Sequence, residues 1–137
     1  MTLLERKLKF LRRYRRTPYC ELGRTVAGLD CWGFFAAYFR EVHGIELPDP
    51  MQPAGPELEE ALRRDLDWPE IKKPLPECGV FMRLAGVPHV AIYQQDGYFL
   101  HCARSVGVVS ERLAGLLWER RIKGYYMHPS LLAGVRQ

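Results

Sequence analysis

Residues 28–39, Gly-Leu-Asp-Cys-Trp-Gly-Phe-Phe-Ala-Ala-Tyr-Phe, leave this chain few choices of fold. No turn residue interrupts Phe34 to Phe39, and a run so apolar does not belong on a surface loop. Asp30 is a good N-cap, Arg40 and Glu41 restore polarity, and Gly44 offers a stop. The segment predicts a buried helix of about three turns, against which the other elements must pack. Cys31 falls in its first turn, where unpaired N–H groups and the positive end of the dipole favour an anion. A thiol there is drawn toward thiolate, the nucleophilic form. A small cysteine that merely packs is the plainer reading of the same position.

At 137 residues the chain is expected to form one domain, 1–137, with a sizeable core. Its 47% hydrophobic and 26% charged residues suit a globular protein and exclude a disordered one. The net charge of +4 is unevenly spread. Arg6, Lys7, Lys9, Arg12, Arg13, Arg15 and Arg16 crowd the first sixteen positions against one acid, Glu5. Such a start serves nucleic acid, an anionic envelope, a partner protein or simply a solvated helix face. No apolar run approaches the ~18–20 residues of a membrane span, so no membrane insertion is expected. The N-terminus lacks the apolar core of a signal peptide, and any route outward would have to be supplied by something else. Cysteines 20, 31, 78 and 102 show no Cys-x-x-Cys spacing, so neither a structural zinc nor any other metal is expected, and the set reads as mostly reduced thiols.

Thr2-Leu3-Leu4-Glu5 is a capping box, and Leu4, Leu8, Leu11 and Tyr14 follow at helical spacing, predicting a helix over 3–15. Thr17-Pro18 ends it. Residues 19–29 read as a loop near the Cys31 helix. Residues 47–77 form a Pro-rich excursion holding seven of the ten prolines, with a short surface helix at 56–66. Strands are expected at 79–84, 89–93, 98–102, 106–109 and 124–127, with a helical piece over 113–121. Asp96-Gly97 is the hairpin turn between the second and third of these. Helices first and an antiparallel sheet afterwards is an α+β plan.

The hairpin sets His89 at the start of one strand and His101 near the end of its partner, at the same end of the sheet. Two imidazoles so placed, with a helix-start cysteine packed against them, satisfy the logic of nucleophile, base and orienter. Each histidine alone is more often structural.

In three stretches the chain resembles the NlpC (p-sixty) family of papain-like cysteine peptidases, which cut bacterial cell-wall peptides. The first is Tyr19, Gly23, Gly28, Asp30, Cys31 and Gly33, in the places of the nucleophile motif. The second is His89-Val90-Ala91-Ile92-Tyr93, like the strand of the base, and the third is Gly97-Tyr98-Phe99-Leu100-His101, like that of the third polar residue. Trp32 stands where the family often has Ser, Ala91 where it has Gly, and Pro76-Glu77-Cys78-Gly79 where it usually reads Pro-Gly-Asp. The resemblance implies a papain-like α+β domain and an amide hydrolase of peptidoglycan stem peptides, acting on the γ-D-glutamyl-meso-diaminopimelate bond. It also implies Cys31 as nucleophile, His89 as base and then acid, His101 as orienter, and no metal or organic cofactor. The Tyr19 hydroxyl and the Cys31 N–H are then the expected oxyanion donors, and Asp30 either caps the helix or meets a substrate ammonium. Asp30-Cys31-Trp32-Gly33 and the segment from Trp118 to Tyr126 are similar to members found in bacteriophage tails. That likeness implies a virion tail component held by tail-tip proteins; nucleic-acid binding through the basic helix is the weakest reading, and no nucleic-acid partner is expected. A tail-tip structural protein with weak or absent catalysis, and an acyltransferase on the same fold, are the alternatives.

Overall fold

The computed structural model describes residues 1–49, 51, 60, 64–113 and 116–136. It divides into two compact units, Met1–Pro53 with His101–Val109 and Ala54–Leu100 with Ser110–Gln137.

In the first unit α1 spans Leu3–Tyr14, with Thr2 Oγ1 accepting the Glu5 N–H at 3.1 Å, the expected cap. Phe10 and Tyr14, one helical turn apart, are its buried residues. The Phe10 ring lies 5.5 Å from Phe34 and 5.2 Å, edge-on, from Tyr38, so the two helices meet through aromatic rings. The Tyr14 hydroxyl donates to the Glu41 carboxylate at the edge of this contact. Helix α2 runs Cys31–His43, capped by Asp30 and ended at Gly44, whose N–H returns to the Arg40 carbonyl. Ten of its thirteen residues are buried, which is why the sequence shows an apolar run and no polar stripe. The expected loop at 19–29 holds two short strands, β1 (Arg24–Thr25) and β2 (Gly28–Leu29), paired antiparallel. Two-residue strands carry no alternation to read, and hydrogen bonds from elsewhere in the chain hold them.

The second unit is built on a six-stranded sheet. Its strands are β3 (Glu70–Ile71), β4 (Gly79–Leu84), β5 (Val87–Tyr93), β6 (Tyr98–Ala103), β7 (Gly107–Arg112) and β8 (Ile122–Tyr126), in the order β3-β8-β4-β5-β6-β7. Residues 101–103 of β6 and 107–109 of β7 are counted with the first unit. The expected hairpin is present, with Ile92 opposite Leu100 and Tyr93 opposite Phe99. Asp96 and Gly97 both have positive φ, 54° and 84°, as a turn matching the strand twist requires. The Gly97 N–H donates to the Tyr93 hydroxyl at 3.0 Å and fixes the turn. Val80, Met82, Ala91, Phe99 and Leu113 form one core cluster, and Cys78, Met127 and Leu132 another.

Besides β1 and β2, two further elements were not expected, β3 and the C-terminal helix α4 (Pro129–Arg136). Strand β3 exists because Glu70 and Ile71 add to β8 opposite Tyr126 and Tyr125, a long-range pairing that no local pattern announces. Pro129 starts α4 at a position where a missing N–H costs nothing. Of the helical piece expected over 113–121, helix α3 covers Leu116–Glu119, and residues 114–115 lie outside the described ones. The helix expected at 56–66 also falls mostly outside them; residues 60 and 64–66 are helical. Among the described residues no helix is long and apolar enough to cross a membrane.

Candidate active site

The first unit assembles its site around the start of α2. Asp30 places one carboxylate oxygen, Oδ1, on the Gly33 N–H at 2.7 Å and on Arg24 Nη1 at 2.8 Å. Its other oxygen accepts the Leu22 N–H at 3.0 Å. Asp30 is 5% exposed, and its carboxylate is occupied as cap and loop anchor. Arg24 also donates to Asp49 through Nε at 2.8 Å and Nη2 at 3.1 Å, and to the Gly23 carbonyl. Burial works against the Arg24 charge, but Asp49 and Asp30 more than offset it and raise its proton affinity. The hydrogen bonds from Arg24 likewise hold Asp49 below its ordinary range. Gly33 is required by a close approach. A Cβ there would stand 2.4 Å from the Gly23 carbonyl oxygen.

Leu29 joins three segments. Its carbonyl accepts the Cys20 N–H at 3.0 Å and the Cys102 thiol at 3.2 Å, and its N–H donates to the Pro18 carbonyl. Tyr19 bridges to Leu29 in parallel fashion, and within the same unit Cys102, the residue next to His101, is fastened to Leu29. Cys31 is 6% exposed. His101 is wholly buried. Burial, then the negative charge of Cys31, push the Tyr19 hydroxyl up to about 12, with Arg104 pulling the other way. Tyr19 therefore stays a neutral donor across the physiological range. The Arg104 guanidinium stacks over the Tyr19 ring, 5.1 Å from its centroid.

Tyr19, Asp30, Cys31 and His101 all belong to the first unit. His89 belongs to the second, on β5 opposite Met82 and 8% exposed. Trp32, in the place of the usual Ser, is buried and donates from Nε1 to the Pro48 carbonyl at 3.1 Å, so it anchors the start of the Pro-rich excursion. Arg24 and Arg104 were missed in the sequence. Arg24 sits in a stretch without periodicity, and Arg104 in the turn after β6, where an arginine is ordinarily solvated.

All four cysteines are free thiols. Burial pushes Cys78 up to about 11 and Cys102 up to about 12, the latter with the Cys31 charge as the next cause. Iodoacetamide at mildly acidic pH should therefore label Cys31 ahead of exposed Cys20, with Cys78 and Cys102 silent until denaturation. Peptide mass spectrometry reads the order. Cys31 labelling no faster than Cys20 would refute the activation of its thiol. Among the described residues no three His, Cys, Asp or Glu side chains gather as metal ligands.

The sequence model of the NlpC/P60 family matches residues 16–127, a span running through both units. The chain belongs to the NlpC/P60 family. It is 27% identical to the probable endopeptidase NlpC of Escherichia coli K12, over 80% of this chain and 68% of that protein. It is 31% identical to the probable endopeptidase NlpC homolog of Haemophilus influenzae, over 76% of this chain and 51% of the relative. A third relative, murein DD-endopeptidase MepS/murein LD-carboxypeptidase of E. coli K12, is 29% identical over 72% of this chain and 49% of its own length. The chain thus spans about half the length of the latter two. Among solved structures, an NLP/P60 protein of Staphylococcus aureus Mu50 described as similar to a lipoprotein superposes with a TM-score of 0.69 at 20% identity, covering 92% of this chain and 41% of that one. The NlpC/p60 domain of the peptidoglycan hydrolase SagA gives 0.62 at 16%, covering 92% and 98%. At these identities the structural likeness establishes the α+β fold of the NlpC/P60 family.

Proposed function

We propose that this chain is a cysteine endopeptidase that hydrolyses the γ-D-glutamyl-meso-diaminopimelate bond of peptidoglycan stem peptides. The observation that carries the reading is Cys31 as the first residue of α2, directly after the fully engaged Asp30 cap and 6% exposed. The Cys31 thiolate attacks the γ-carbonyl carbon, and the oxyanion takes hydrogen bonds from the Cys31 N–H and the Tyr19 hydroxyl. Collapse breaks the C–N bond as His89, holding the thiol proton, passes it to the leaving amine. Water, deprotonated by His89, then cleaves the thioester and returns the thiol. His101, with no exposed surface, acts through His89 as a positioning residue. Strand alternation supports that pairing, since Ile92 faces Leu100 in the hairpin. His89 stands three residues before Ile92 and His101 one after Leu100, which gives both the opposite parity. Asp30 serves by holding the helix start; a substrate ammonium would have to share a carboxylate that already has three partners.

The named relatives act on more than one bond, so products decide the matter. Purified wall treated with the parent chain should release fragments beginning at diaminopimelate, and Cys31→Ala should release none. Fragments cut at D-alanyl cross-links would overturn the assignment of the bond.

The finer reading is of a bacteriophage tail component that acts during entry, held by tail-tip proteins. The Asp-Cys-Trp-Gly form supports it, as do Leu4 and Leu8 of α1, which are 65% and 43% exposed among seven basic residues and offer a docking surface. Mass spectrometry of purified particles should find the chain in virions, and its absence there would end this part of the proposal. A tail protein without catalysis would instead show no turnover in the parent.

A further inference from the structure

We propose that Arg104 is a specificity residue that binds a substrate carboxylate beside the scissile amide. This rests on the reading of Cys31 as the nucleophile of a stem-peptide hydrolase. Arg104 lies in the turn after β6, closed by the Val106 N–H on the Ala103 carbonyl at 3.2 Å. It is solvent-exposed, and among the described residues its guanidinium has no carboxylate or hydrogen-bond partner. Its guanidinium nevertheless lies over the Tyr19 ring, 5.1 Å from the centroid, and Tyr19 is bridged to Leu29, two residues before Cys31. Arg24, in the same unit, is by contrast consumed by Asp30 and Asp49. An arginine whose carbon sits over an aromatic ring keeps N–H donors for a planar anion, because a cation–π contact uses none of them as a hydrogen bond. Tyr19 holds its proton up to about 12, so the platform does not change with pH in the working range.

The substrate supplies such an anion. The D-glutamyl residue that presents its γ-carbonyl to Cys31 also bears a free α-carboxylate, on the acyl side of the bond being cut. Amidation turns that group into a neutral carboxamide of nearly the same shape. Arg104 therefore distinguishes unamidated from amidated stem peptides, preferring the carboxylate.

The experiment uses L-alanyl-γ-D-glutamyl-diaminopimelate and its α-carboxamide counterpart. Values of kcat/KM are measured on both for the parent, Arg104→Gln and Arg104→Lys. The parent should favour the carboxylate by about 10- to 100-fold, the scale of one charge-assisted hydrogen-bonded contact. Arg104→Gln should bring the ratio toward one, chiefly through KM, and Arg104→Lys should restore part of it. A parent ratio near one, or a ratio that survives Arg104→Gln, overturns the proposal. Binding of both peptides to Cys31→Ala, with and without Arg104→Gln, is measured by calorimetry. Arg104-dependent preference in binding without turnover in the parent would sustain Arg104 and sink the hydrolase reading. Equal binding of the two peptides would sink Arg104 whatever the turnover.

Discussion

Cys31→Ala should eliminate measurable wall hydrolysis and leave the protein folded. The substitution deletes one sulfur at a helix start, and alanine is the best helix former. The Asp30 cap, which binds the Gly33 N–H, is untouched. The cost in stability should be about 1 kcal/mol, the common size of a small buried truncation. The histidines should then rank by role. His89→Ala should lose ~10²–10⁴-fold in rate, the contribution of positioned proton transfer. His101→Asn or His101→Gln should keep measurable activity, because an amide oxygen can accept the His89 ring N–H in its place. His101→Ala should lose much more. Since His101 is fully buried and His89 nearly so, thermal unfolding of each variant must accompany the rates. Equal turnover of His101→Ala and His101→Asn would remove the orienting role, and Cys31→Ala with near-parental turnover would remove the nucleophile.

What was legible in the sequence was legible because it is local. Thr2 with Glu5, Asp30 with Gly33, and Gly44 behind His43 are caps that a few residues define, and each end of α1 and α2 stands within a residue of its expected place. The Asp96-Gly97 turn fixed the hairpin for the same reason, since two residues with positive φ are a local demand. The unread parts depend on distant partners. Strand β3 exists only against β8, and β1 and β2 are held through Leu29 and Arg24. The roles of Arg24 and Arg104 arise from Asp49 and from Tyr19, 25 and 85 positions away respectively. No window along the chain contains both members of either pair. The contact of the Cys102 thiol with the Leu29 carbonyl is of the same kind, 73 positions apart in the chain.

Asp30→Ala should be the most destabilising single change at the site and should lower activity with it. Three groups lose their acceptor together: the Gly33 N–H at the helix start, the Leu22 N–H in the loop, and one arm of Arg24. Loss of an N-cap costs about 1 kcal/mol. A hydrogen bond to a charged group contributes about 1.5–3 kcal/mol. The Arg24 side chain is 20% exposed and keeps Asp49, so its charge is only partly orphaned, and the lower part of that range applies. The sum is about 3 kcal/mol, a fall of roughly 10 °C in Tm for a chain of this size. Asp30→Asn, which keeps an acceptor oxygen for Gly33 and removes the charge facing Arg24, should fall between parent and alanine. Arg24→Gln combined with Asp30→Ala should cost less than the two single changes added, because the orphaned guanidinium is then gone. Activity should follow the same order, since the loop from Leu22 to Leu29 leads directly into Cys31. If calorimetric unfolding puts Asp30→Ala within 1 kcal/mol of the parent, the carboxylate does not hold the helix start. Its remaining role would then be the one for a substrate ammonium, visible as a rise in KM at unchanged Tm.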